Sequence, residues 1–306
     1  MDFNDKLRQA TEKTGSIACM GLDPVLENVP AKYPQFKFRV EAFMEDLFTE
    51  MKDQNVLPGA FKPNHGFYSR HDEPRRGQFR GSMALGIVMN MINDFFPEIP
   101  IILDYKRGDI AKSSANYAHE GFVGWDADAV TVAPYMGTDS VSPFAEFCNE
   151  EQGKGVYVLN RTSNKIGAAD FQSRMVLGDN NEQLHLVVAD KIVEWAELYP
   201  GVGAVVGATS LDEMAQITDV YAGKDIPLLI PGVGGQGGKA DEVMDVLDTG
   251  GYEQALARIN SSSGLLQPWA KDEDLKAKLE GKSNSEYAKV CVDKLNVLNE
   301  EIGYKS

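Results

Sequence analysis

Cysteine is scarce in this sequence, and the three that occur, Cys19, Cys148 and Cys291, lie at wide, unrelated spacings. They form neither a disulfide framework nor a metal-knuckle pattern, and reduced thiols suit a cytosolic protein. Histidine is equally sparse: His65, His71, His119 and His185 share no ligand spacing, so no metal is expected. Long apolar runs are missing as well. None approaches the roughly 18 residues of a membrane span, and the opening stretch MDFNDKLRQATEKTG is polar and helix-like, without the apolar centre of a signal peptide. A soluble, cytoplasmic protein with no membrane partner is expected. Positive charge is the last shortage, with 30 Lys and Arg against 46 Asp and Glu and a net charge of −16. Such a field repels polyanions, so nucleic acid is not an expected partner. An anionic small molecule would need a pocket that concentrates positive charge locally.

What is present is apolar sequence in short, regular pieces. At 306 residues and 43% hydrophobic content, the chain can bury a large core. Eight apolar runs stop at turn-forming or charged residues: SIACMGLD, GAFKPN, IPIILDYK, DAVTVAPY, GVYVLNRT, GAVVGAT, PLLIPGV and ARINSSSG. Between most of them lie amphipathic stretches of helix length, such as FRVEAFMEDLFTEMKDQN and NEQLHLVVADKIVEWAELY. Near-continuous Val/Ile/Leu strands alternating with helices indicate a covered parallel sheet, and eight such units predict an α/β fold of the (β/α)8 TIM barrel type. A doubly wound sheet is the alternative. With no low-complexity linker in the chain, residues 1–306 are expected to form a single domain. SRHDEPRRGQFRGS, residues 69–82, reads as a long loop after the second strand, and residues 269–306 as a C-terminal helical extension.

In a barrel, side chains at the C-terminal ends of all eight strands converge on one mouth. Here Asp23 ends the first candidate strand, Lys62 the second, and Asp104 and Lys106 the third; Thr162 and Ser163 follow the fifth. Asp104 and Lys106 are two apart, so on a strand they share one side while Tyr105 takes the other. A lysine beside a carboxylate is a held proton donor, although a lone Asp-x-Lys is also a common structural ion pair. Asp109 and Lys62 would bring a second carboxylate and a second ammonium to the same mouth, and four alternating charges invite a catalytic reading. After the seventh strand, Gly232, Gly234 and Gly237 in PGVGGQGG have G-x-G-x-x-G spacing. In that position of a barrel, a glycine-rich loop is the usual phosphate cradle. Ser163 has no evident His and Asp partners, so a serine triad is not expected.

The motif LDYKRGDIAKSS, together with FKPNHGFY, ADAVTVAPYMGTDSVSPF, VLNRTSN, VGAVVGATS and IPGVGGQGG in that order, resembles the orotidine 5'-monophosphate decarboxylases, in their longer bacterial (type 2) form. The resemblance implies a homodimeric barrel that converts orotidine 5'-monophosphate to UMP in de novo pyrimidine synthesis, without metal or organic cofactor. It implies roles by position: Asp23 for the ribose, and Lys62, Asp104, Lys106 and Asp109 as a charged tetrad with Lys106 as the proton donor to C6. Asp109 and Ser113 would reach into the partner's site. Ser163 would meet the pyrimidine, Pro231 would line the base pocket, and Gln236 would bridge toward phosphate. Ile110, Gly237, Ser262 and Ser263 complete the substrate-binding set. Two departures stand out. The family's N-S-S-R-G, whose arginine grips phosphate, reads Asn260, Ser261, Ser262, Ser263, Gly264, and RTSNKIGAAD replaces a shorter turn. Lys165, Lys239 or a cation between Ser69 and Ser82 is a candidate for the missing charge. The alternatives are a metal-dependent relative of the hexulose-phosphate synthase type and a non-catalytic nucleotide-binding relative.

Overall fold

The computed structural model describes residues 1–30, 33–176, 181–235 and 237–304. Among the described residues, eight strands make one sheet. They are β1 (Ala18–Gly21), β2 (Ala60–Lys62), β3 (Ile102–Arg107), β4 (Ala129–Val132), β5 (Gly155–Arg161), β6 (Val202–Val206), β7 (Leu228–Pro231) and β8 (Ala257–Ser261). Each falls on one of the eight apolar runs and extends at most one residue beyond it. The sheet order is β2-β1-β8-β7-β6-β5-β4-β3, and each strand runs parallel to its neighbours. Its two edges meet. Phe61 bridges Ile101 and Asn64 bridges Asp104 in parallel, and the amides of Phe61 and Asp104 each donate to a proline carbonyl, Pro100 and Pro63, at 3.0 Å. The edges thereby close into a (β/α)8 TIM barrel, an arrangement that leaves no open strand to pair with a neighbour.

Helices cover the outer face for the reason their spacing gives. In Phe36–Gln54, the buried residues Val40, Phe43, Met44, Leu47, Phe48 and Met51 recur every three or four positions and make one apolar stripe. That helix stops where Asn55 adopts a left-handed conformation, φ 54°. The last helix, Asn284–Ile302, starts from a capping box between Ser283 and Glu286, buries Cys291, Val292 and Leu295, and packs on Phe36–Gln54. No helix among the described residues is long and apolar enough to cross a membrane.

Residues 69–82 carry more structure than a loop. Ser69 ends a short helix, Pro74–Arg76 forms a 3-10 turn, and the helix Arg80–Phe95 begins inside the segment. The Asp72 carboxylate starts that helix by accepting the amides of Gly81 at 2.7 Å and Ser82 at 3.1 Å. Opposite the mouth, Arg258 of β8 is fully buried. Its guanidinium donates to the carbonyls of Leu7, Gly59, Ala255 and Ala257 at 2.7–3.0 Å. The N-terminal helix, the approach to β2 and the start of β8 are thus tied together.

Candidate active site

The site begins with an irregularity in β3. Leu103 pairs with Val130 and Arg107 with Val132, so three residues of β3, Asp104 to Lys106, stand opposite Thr131 alone. Lys106 takes up the excess in a left-handed backbone conformation, φ 45°, which costs a residue with a β-carbon about 1–3 kcal/mol. The Thr131 hydroxyl holds it there. Its Oγ1 accepts the amides of Tyr105 at 3.1 Å and Lys106 at 3.0 Å and donates to Asp104 Oδ1 at 2.9 Å. Asp104 and Lys106 meet as the two-residue spacing predicts, while Tyr105 turns away and its hydroxyl donates to the Tyr117 carbonyl at 2.9 Å.

Asp104 is the centre of the charges. Lys106 Nζ lies 2.5 Å from Oδ1 and Lys62 Nζ 3.1 Å from Oδ2, and the Asn64 side-chain amide donates to Oδ2 at 3.2 Å. Burial alone would raise the Asp104 carboxyl, but the two ammonium groups and their hydrogen bonds outweigh it and hold the acid well below the usual carboxylate range. Burial likewise opposes the Lys62 ammonium, and Asp104 and Asp23 more than offset it. Asp23 accepts the Asn64 amide at 3.1 Å; desolvation pushes its carboxyl up, against the pull of Lys62. Lys62 and Asp104 are almost wholly covered, whereas 47% of the Lys106 side chain is exposed.

These groups line a cavity of about 220 Å³ that also collects Thr162, Ser163, Pro231, Asn260 and Ser262. A neighbouring cavity of about 160 Å³ shares Pro231, Asn260 and Ser262 with it and adds Gly232, Gly235, Ser263 and Lys271. Ser262 can sit between the two because β1 carries a glycine: a β-carbon on Gly21 would collide with Ser262 Oγ. The first cavity holds charges of both signs, and the second is built of glycine turn and serine side chains with Lys271 beside them.

Of the residues singled out from sequence, Asp23, Lys62, Asp104, Lys106, Ser163, Pro231 and Ser262 line the first cavity and Ser263 the second. Gly237 lies in the glycine turn, its amide donating to the Gly234 carbonyl at 2.9 Å. Gln236 lies outside the described residues. Asp109, Ile110 and Ser113 stand outside the cavity of their own chain. The Asp109 carboxylate caps the Ile110 amide at 2.7 Å, and Ile110 is 59% exposed. Sequence reasoning misses Asn64, Thr131, Asn260 and Lys271 as site residues. Thr131 is the only polar residue of β4, which is a usable sign; Lys271 carries none, because it reaches the mouth from the segment beyond β8.

Comparisons with known proteins agree with one another. A family model described as the orotidine 5'-phosphate decarboxylase / HUMPS family matches residues 59–261. The orotidine 5'-phosphate decarboxylase of Cupriavidus metallidurans is 36% identical over 266 residues, 87% of this chain and 89% of that protein. That of Thermomicrobium roseum is 35% identical over 244 residues, 80% of each. Among solved structures, Leishmania donovani OMP decarboxylase superposes with a TM-score of 0.69 at 28% identity, covering 98% of this chain and 99% of that one.

The bulge predicts the behaviour of Thr131→Val, which keeps the branched shape and removes the hydroxyl. Two backbone amides and one carboxylate oxygen then lose their partner, so unfolding in urea should show a loss of about 1–3 kcal/mol. Thr131→Ser should lose clearly less. A Val variant as stable as the parent would contradict this role.

Proposed function

The chain belongs to the orotidine 5'-phosphate decarboxylase / HUMPS family, and from that premise we propose that it decarboxylates orotidine 5'-phosphate to UMP with Lys106 as the proton donor. The observation that carries this reading is the row Lys62, Asp104, Lys106, with contacts of 3.1 and 2.5 Å, at the mouth end of a cavity that opens into a glycine turn. Breaking the bond between C6 and the carboxylate releases CO2 and leaves the electron pair on C6, where the pyrimidine ring cannot spread it. An ammonium aimed at that carbon stabilises the developing charge and then transfers its proton there. Solvent restores the proton, and the exposure of Lys106 gives water that access.

Asp104 has a second effect. Buried beside the substrate carboxylate, it would repel it by about 4 kcal/mol at a separation of ~4 Å and an effective dielectric of 20; losing CO2 relieves that repulsion. Lys62 balances Asp104 against burial, and Asp23 and Lys62 face the ribose. Ser163 and Pro231 take the base, and Ser262, Ser263 and Gly237 the phosphate side. In this reading the reaction uses no metal or organic cofactor, and the protein is cytoplasmic.

We further propose a homodimer in which Asp109, Ile110 and Ser113 serve the neighbouring subunit's site. Two features support it: these residues stand outside their own cavity, and exposed apolar residues, Tyr135 at 82% and Met136 at 51% with Ile110, follow β3 and β4 on the same side of the mouth.

Two outcomes are expected. Lys106→Ala should bind UMP but lose orotidine 5'-phosphate turnover by roughly a hundredfold or more, followed as the disappearance of orotate absorbance; a variant retaining a tenth or more of the activity would remove Lys106 from this role. Asp109→Ala and Lys62→Ala, each inactive alone, should recover up to about a quarter of parental turnover after subunit exchange, because half of the dimers are then mixed and each has one intact site. Verified exchange without recovery would count against the shared site.

A further inference from the structure

Among the described residues, the second cavity has a single charged residue in its wall, Lys271, and it comes from outside the barrel. We propose that Lys271 is the cation that holds the substrate phosphate in this chain, in the place where Ser263 leaves β8 without an arginine. The proposal rests on the decarboxylase reading and adds a residue to it.

Lys271 Nζ lies 3.5 Å from the point where a β-carbon on Gly235 would stand, and Ser263 Oγ lies 3.4 Å from the same point. An ammonium and a hydroxyl therefore flank one spot directly above the Gly235 backbone, while the amides of Gly234, Gly237 and Gly238 are used within the turn itself. The hydroxyls of Ser261 and Ser262 belong to the same wall. The hydroxyls supply hydrogen bonds; among the described residues of this wall only Lys271 supplies charge.

The position of the lysine is fixed by the residues before it. Trp269 is buried, its Nε1 donates to the Asn28 carbonyl at 2.8 Å, and its ring packs edge-on against Phe43 and Tyr287, with centroids at 6.1 and 4.7 Å. The Gln267 side chain exchanges two hydrogen bonds with the backbone of Val25, both 3.1 Å. The 3-10 turn Pro268–Ala270 ends beside the mouth and delivers Lys271 from this buried platform. Asp272, the nearest carboxylate in sequence, is occupied in capping the next helix through the Leu275 amide at 2.9 Å. Among the described residues Lys271 forms no ion pair, in a chain with a net charge of −16.

The other candidates point elsewhere. Lys239 is paired with Glu242 at 2.6 Å and Arg76 with Glu73 at 3.1 Å. No cation between Ser69 and Ser82 lines either cavity. Lys165 opens the helix Lys165–Phe171 on the exposed surface and lines neither cavity.

The test is calorimetric binding of UMP and of uridine, which lacks the phosphate, to the whole 306-residue chain and to its Lys271→Ala and Lys271→Arg variants at low ionic strength. The expected result for Lys271→Ala is UMP affinity lower by roughly ten- to a hundredfold with uridine affinity unchanged, and near-parental UMP affinity for Lys271→Arg. Because the side chain is exposed, unchanged uridine binding also establishes that the variant is folded. Parental UMP affinity in Lys271→Ala would overturn the assignment of Lys271 alone. Failure of the parent protein to bind UMP at all would instead overturn the decarboxylase reading and this inference with it.

Discussion

Much of this structure follows from one carboxylate placed between two ammonium groups. Removing a charge from water costs several kcal/mol, and a buried charge is tolerated only where partners and hydrogen bonds compensate it. Asp104 has both lysines, the Thr131 hydroxyl and the Asn64 amide. Those four partners come from β2, the turn after it, β3 itself and β4. The place where the sheet closes, through the Asn64 and Asp104 bridge, is therefore also the place where the charges gather. Barrel closure and the charge cluster share residues in this chain, and the strain at Lys106 is held by the Thr131 hydroxyl that also bonds Asp104.

In the proposed reaction the two halves of the mouth divide the work. The β2–β4 side concentrates charge of both signs in a covered setting, where by this proposal it acts on the bond being broken. The β7–β8 side offers glycine backbone, serine side chains and Lys271, which by the same proposal orient an anionic group without adding a competing carboxylate. Interactions with a remote phosphate can be spent on orientation at the reacting carbon, and Pro231, Asn260 and Ser262 line both cavities.

The barrel was legible in the sequence because both faces of each strand are buried, so the strands read as unbroken apolar runs ended by polar residues. Asp23, Lys62, Asp104 and Lys106 were legible for the same reason: charge at the end of such a run has a barrel mouth to point into. The bulge was not, since nothing in DYKRG announces a left-handed lysine, and Thr131 reads as an ordinary β-branched strand residue. Lys271 was hidden by topology, because local spacing does not reveal that a turn beyond β8 folds back over the mouth. The role proposed for Asp109 and Ser113 across a dimer rests on the family resemblance, because motif spacing carries no information about a partner.

The central claim is that this charge cluster decarboxylates orotidine 5'-phosphate unaided. The most direct measurement is the fate of that substrate with purified protein in the presence of a strong chelator. The account predicts complete loss of the orotate absorbance with one UMP and one CO2 formed per substrate, at a rate the chelator does not change. No conversion, or conversion that depends on an added divalent metal, would contradict it.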